Sequence, residues 1–239
     1  MEPLLATLWI YWRCVARSAE LLRHNLLVGL APIAYTVIIG VVGSIALGLG
    51  MIGGMIVALA WSACLSSFLY LIAEIVGSGR ANLADFQRGF KVYFFEVVRI
   101  SFLFWIAAVA LRLVLANQPN VRLIQLCITV VAYILFNVVP ELIYQSHESG
   151  AGLIAASYRF IGANWIEWFP PNVLAAVVIL WVVHVVERLP LPTTVDMVAA
   201  RGIGGILLVG LMVFRGLLFA ELNRSSGRSR AFRYRARRK

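Results

Sequence analysis

Six apolar runs, over residues 26–49, 51–76, 94–116, 121–144, 172–188 and 196–220, constrain this chain more than any other feature. A helix rises about 1.5 Å per residue, so about 20 apolar residues cross a hydrocarbon layer about 30 Å thick. Backbone groups in lipid find no water, which leaves only helices or a closed barrel as spanning structures. The runs are continuous and lack the strict alternation of barrel strands. Composition agrees: 62% of residues are hydrophobic and 13% charged, against about half and about a quarter in soluble domains. The mean hydropathy is +0.88. The expected fold class is all-α: a polytopic membrane protein with six transmembrane helices arranged as three hairpins.

A short amphipathic run precedes each pair of apolar runs. In residues 4–24, Leu5, Leu8, Trp12, Val15, Ala19 and Leu22 form one stripe, with Arg13, Arg17, Glu20 and His24 opposite. Trp on one side and Arg on the other fits a helix lying in the membrane interface. The second run places Leu83, Phe86, Phe90 and Tyr93 at helical spacing, and the third does so with Ile154, Tyr158, Ile161, Trp165 and Trp168. Arg17, Arg88 and Arg159 fall 71 residues apart, one in each run. Glu74, Glu141 and Glu221 each end a second apolar run, and each is followed by a Ser-Gly step. Such regularity predicts three copies of one module, residues 1–79, 80–150 and 151–222, in a single transmembrane domain. The central copy carries the pattern most clearly.

Local signals refine this outline. Asn82 with Asp85 three residues on is a helix-start signature. Pro140 should kink the fourth run, because proline removes a backbone hydrogen bond. Pro170-Pro171 should end the third amphipathic run, with Asn172 opening the next helix. Gly40, Ser44 and Gly48 share a face whose small residues allow close helix packing. Cys14, Cys64 and Cys127 are widely spaced, so neither a disulfide nor a metal site is expected. Arg13, Arg17, Glu20 and Arg23 interrupt the N-terminal apolar residues, so the first spanning helix should serve as its own insertion signal.

The net charge of +10 is concentrated in one place. Residues 223–239 hold seven Arg and one Lys with no acid, and subtracting these eight cations leaves +2 for the rest. Arg224, Arg228, Arg230, Arg233, Arg235, Arg237, Arg238 and Lys239 thus form a basic tail, disordered by composition. Beside a helix end, its natural partners are anionic lipid headgroups rather than nucleic acid. With the N-terminus inside, nine basic residues outside the tail face the cytoplasm and four face out, as the positive-inside bias requires. Both termini are therefore expected in the cytoplasm, with the three amphipathic helices on the same face.

Charged residues within spanning helices mark function by default. Glu74, Glu141 and Glu221 lie near the cytoplasmic ends of helices two, four and six, and Arg99 and Arg215 lie at comparable depth. They can form a hydrated vestibule for a cation, proton or basic partner. Alternatively each Glu reaches the interface or pairs with an Arg and locks the modules together. His184 with Glu187 and Arg188, and His147 with Glu148, lack the ligand number of a metal site. No catalytic nucleophile, cofactor motif or phosphate-binding glycine loop is recognisable.

The segments ANLADFQRGF and SGAGLIAASYRF and the step Pro140–Leu142 resemble a group of uncharacterised bacterial six-helix membrane proteins. These are similar to the membrane domain fused to some glycerophosphodiester phosphodiesterases. No phosphodiesterase domain accompanies the likeness here, so it implies a bacterial inner-membrane location and carries over no catalytic residue. The expected function is non-enzymatic: a scaffold or accessory subunit working with other membrane-protein subunits. The alternative is a small transporter or lipid-handling protein that uses the Glu/Arg vestibule.

Overall fold

The computed structural model describes residues 2–116, 120–188 and 193–224. Among them the regular structure is helical throughout: α1 (Glu2–His24), α2 (Ala31–Ala46), α3 (Gly50–Ser78), α4 (Leu83–Val92), α5 (Phe94–Leu115), α6 (Val121–Phe136), α7 (Val139–Gln145), α8 (Ala151–Glu187) and α9 (Thr193–Arg224). Five stretches are long and apolar enough to cross a membrane: Leu26–Ser78, Phe94–Leu115, Val121–Gln145, Ala151–Val185 and Arg201–Arg224. The first of these, 53 residues long, contains both α2 and α3. A 3-10 turn over Leu47–Leu49 and a positive φ of 54° at Gly50 reverse the chain between them. The Tyr35 hydroxyl then donates to Ser67 Oγ at 2.9 Å. Gly53 lies so close to the Ala46 carbonyl oxygen that a Cβ would overlap it.

The packing centre is shared by α3 and α9. Half of the apolar window of α9 is buried, against 11–17% in the other four stretches. Val209, Met212 and Val213 enter one cluster with Phe68, Leu69 and Ile72 of α3. Phe214, Leu218, Phe219 and Leu222 enter a second cluster with Leu142 of α7 and Leu153, Phe160 and Trp168 of α8. In a membrane, where lipid is as apolar as these side chains, their packing would rest on dispersion and shape rather than on transfer from water. Such packing needs small residues at crossings. Gly205 approaches the Gly29 carbonyl oxygen too closely for any side chain, and a Cβ on Gly29 would overlap Ile206. Asn25 closes the same region: its Nδ2 donates to Leu21 O at 2.8 Å and Gly79 O at 2.9 Å, and its Oδ1 accepts from Ala81 N at 2.9 Å. Residues 80–150, expected to carry the module most clearly, are therefore not the packing centre. Here α5 buries only Val97, Ile100 and Leu115, and α6 buries none.

Several local signals are realised. Asn82 Oδ1 accepts from Asp85 N at 3.0 Å and Asp85 Oδ2 accepts from Asn82 N at 2.9 Å, a complete capping box. Phe86, Phe90 and Tyr93 pack against the α3 cluster, while Ser66 Oγ donates to Gly89 O at 2.6 Å. At Pro140 the fourth run is interrupted outright, with α6 ending at Phe136 and α7 starting at Val139.

Other expectations need correction. Pro170 and Pro171 lie inside α8, whose non-helical residue is Asn164 (φ −133°, ψ 16°). Pro171 lacks the N–H that would bond the Glu167 carbonyl, and the Tyr11 hydroxyl of α1 donates to that oxygen instead, at 2.8 Å. The stripe on α1 is not among these expectations: Leu5, Leu8, Trp12 and Val15 are exposed, Trp12 by 73%, as a face turned to a membrane interface would be, while Ala6, Ile10, Cys14, Ser18 and Leu21 are buried. The smaller face of α1 packs on protein because it allows the closer approach. Along the amphipathic run of α8 the buried residues are Leu153, Ser157, Phe160, Ile161 and Trp168, with Tyr158 and Trp165 exposed. A Cβ on Gly40, Gly43, Gly48 or Gly54 would meet nothing within 4 Å, so that small-residue face is open rather than internal. Helix α9 continues through Asn223 and Arg224, two residues into the expected tail, and residues 225–239 lie outside the described residues.

Candidate functional site at the end of α9

The polar centre of the fold is made by the break at Pro140. Ending a helix leaves its last carbonyls without intrahelical partners, and here Asn137 O is one of them. Arg215, on α9, meets this carbonyl with Nη2 at 2.6 Å. The same guanidinium donates from Nε to Glu141 Oε1 at 2.6 Å and from Nη2 to Glu141 Oε2 at 2.9 Å. Glu141 is 0% exposed and the Arg215 side chain 11%. The guanidinium also lies 5.2 Å from the Trp168 ring centroid, and the Trp168 indole N–H donates to Asn137 Oδ1 at 3.0 Å. One arginine thereby ties together the α6–α7 break, α7, α8 and α9. Two-pronged geometry of this kind suits the planar guanidinium and its fixed fork of donors.

The other expected site residues go elsewhere. Glu221 pairs with Arg13 of α1 at 2.8 Å, and Arg13 also lies 5.0 Å from the Trp9 ring centroid. Arg99 pairs with Glu96 one turn earlier, at 2.5 Å. The second Glu96 oxygen accepts from Gly150 N at 3.1 Å, which fastens the start of α5 to the loop before α8. The structure thus brings together Glu141 and Arg215, while Glu221 and Arg99 each hold a different partner and Glu74 makes no ion pair among the described residues. Arg17 pairs with Glu20, and Arg159 with Glu148 at 3.4 Å. Of the basic tail set only Arg224 is described; Arg228 through Lys239 lie outside the described residues.

Reading the sequence missed Arg13, Asn137, Trp168 and Glu96 as members of these networks. Depth along the helices pointed to Arg215 as a partner for Glu141, but Asn137 and Trp168 carry no signal beyond their side-chain chemistry. Glu96 was detectable in principle, since it stands three residues before Arg99 at helical ion-pair spacing.

Two concavities flank α1. A cavity of about 560 Å³ is bounded by α1, the end of α3, α7 and the end of α9, and is lined by Arg13, Arg17, Tyr144, Gln145, Glu221 and Arg224 among others. Cys14 shares its wall, and burial pushes this thiol up to about 11. On the opposite flank a groove of about 680 Å³ runs between α1, the second half of α8 and α9. Leu8, Val15, Leu174, Val178 and Leu211 line it, and it is almost wholly apolar.

Comparison of the chain with models of protein families, with curated proteins and with solved structures finds no match in any of the three.

Proposed function

We propose that this chain is a non-enzymatic integral protein of a bacterial inner membrane, acting as a scaffold or accessory subunit of a membrane complex. The supporting observation is a contrast between the paired buried charge and the open apolar faces of the helices. The buried charge of the helix ends is committed to internal pairs, chiefly Glu141 with Arg215. The outer helical surfaces, by contrast, offer broad apolar faces, including Val37, Val41 and Ile45 of α2, Phe102 and Trp105 of α5, and Leu123, Val130 and Val131 of α6. Beside the first of these lie Gly40 and Gly43, with nothing against them, where a partner helix can approach closely. In this reading the chain crosses six times as three hairpins, α2 and α3 counting as separate crossings, and both termini are cytoplasmic. Purification in mild detergent with identification of co-purifying proteins tests the reading. A stoichiometric membrane-protein partner, released by Gly40→Leu with Gly43→Leu, is the expected result. A chain that stays alone in native membranes after cross-linking would overturn it.

A second reading, a small transporter or lipid-handling protein, draws on the apolar groove beside α1, whose dimensions and lining suit an acyl chain. The test there is lipid co-purifying with wild-type protein and lost on Leu174→Arg.

A further inference from the structure

We propose that the cavity between α1, α3, α7 and α9 is a binding site for a phosphate group, held by Arg17 and Arg224. The inference stands on this cavity alone and does not depend on the scaffold reading. Three guanidinium groups, Arg13, Arg17 and Arg224, line the space against one carboxylate, Glu221. Arg13 is the partner of Glu221, so the charge left over belongs to Arg17 and Arg224. Arg17 also meets Glu20 at 2.8 Å on the open side of α1. Glu20 does not line the cavity, and a fork of five donors can serve a carboxylate and a second anion together. Arg224 makes no ion pair among the described residues.

The remaining walls add no negative charge, since Tyr144 and Gln145 are uncharged and the rest is apolar. Cys14 adds no competing charge, because burial keeps its thiol protonated well above neutral pH. Guanidinium groups bind phosphate through two parallel N–H···O bonds, which matches ligand chemistry to the residues present. The phosphate can belong to a lipid headgroup or to a free anion, and both are phosphates at the same site.

Calorimetric titration of the full-length protein in a neutral maltoside detergent tests the proposal with three probes: inorganic phosphate, dihexanoyl phosphatidic acid and dihexanoyl phosphatidylcholine. Saturable binding of one phosphatidic acid per chain is expected. If inorganic phosphate binds as well, the site takes the free anion; if only the lipid binds, the source is a headgroup. Binding should weaken about tenfold or more in Arg17→Gln with Arg224→Gln. Should that double variant fail to give folded protein, Arg17→Gln and Arg224→Gln made singly decide the matter, since both side chains are exposed. A loss of about fivefold in each then supports the site, and unchanged affinity in both overturns it. Replacing the cations at 228–239 by Gln should leave the single saturable event intact. Binding of none of the probes, equal affinity for phosphatidylcholine, no change in the double variant, or loss of all binding with the tail cations would each overturn the proposal.

Discussion

Replacing Glu141 by Gln removes one charge from the most buried ion pair in the fold and changes almost nothing else. Gln has the same shape and keeps one carbonyl oxygen, so the Arg215 Nε bond now made at 2.6 Å can persist in neutral form. The second bond, from Nη2 at 2.9 Å, would face an amide N–H₂ and is lost. Arg215, only 11% exposed, is then left with its hydrogen bond to Asn137 O and no counter-charge. Removing one member of a buried pair costs about 3–5 kcal/mol, mostly from the uncompensated charge; the retained Nε bond places Glu141→Gln near the lower end, at about 3 kcal/mol. Arg17→Ala provides the contrast. Its pair with Glu20 has both side chains more than half exposed and should be worth no more than about 0.5 kcal/mol. Unfolding in mild detergent, driven by a denaturant titration and read by tryptophan fluorescence, measures both. The double change Glu141→Leu with Arg215→Met should recover most of the loss, because neither charge is then stranded. A Glu141→Gln loss below about 1 kcal/mol would refute the lock. So would a double variant as unstable as the sum of its single changes. If Glu141→Gln abolished a transport activity at unchanged stability, the vestibule arrangement would hold in place of the lock.

Three further outcomes follow from named contacts. Gly205→Val should destabilise the fold by at least about 1–3 kcal/mol through overpacking, since the atom in its way is the Gly29 backbone oxygen; full stability by the same titration would mean that α9 and the turn before α2 do not touch. Cys14, with its thiol raised to about 11 by burial, holds almost no thiolate at neutral pH and gains it only as pH rises toward that value; maleimide labelling at pH 7 should therefore be far slower at Cys14 than at an exposed cysteine, and equal rates would place Cys14 in water. A synthetic peptide of residues 223–239 should bind anionic vesicles at low salt and release them as salt screens the charge; binding to neutral vesicles as well would show that the attraction is not electrostatic.

What could be read directly in the sequence was whatever local chemistry dictates. Runs of apolar residues specify helices because lipid offers their backbone no other partner. Asn82 and Asp85 specify a helix start through two short hydrogen bonds, and Pro140 specifies a break by lacking an N–H. Tertiary choices were less visible, and α1 shows why. In water its larger apolar stripe would face inward. Beside lipid both faces are acceptable, and the one that packs on α9 is the one whose Ala6, Cys14 and Ser18 permit close approach. Pro171 misled for a related reason, since a hydroxyl from another helix, Tyr11, repairs the missing bond and lets α8 run on. The pairing of Glu141 with Arg215 was half legible from depth along the helices. The shared role of α3 and α9 as packing centre was not, because only the contacts around them distinguish them from the other apolar helices.

The proposal of six crossings with both termini in the cytoplasm is tested most directly by cysteine accessibility in intact cells. In a background with Cys14, Cys64 and Cys127 replaced by Ser, single cysteines at Pro192 and Ser226, both outside the described residues, report the two ends of α9. The account predicts that an impermeant maleimide added outside labels position 192 in intact cells, and labels position 226 only after the membrane is opened. Labelling of position 226 from outside, or of position 192 only from the cytoplasmic side, would contradict it.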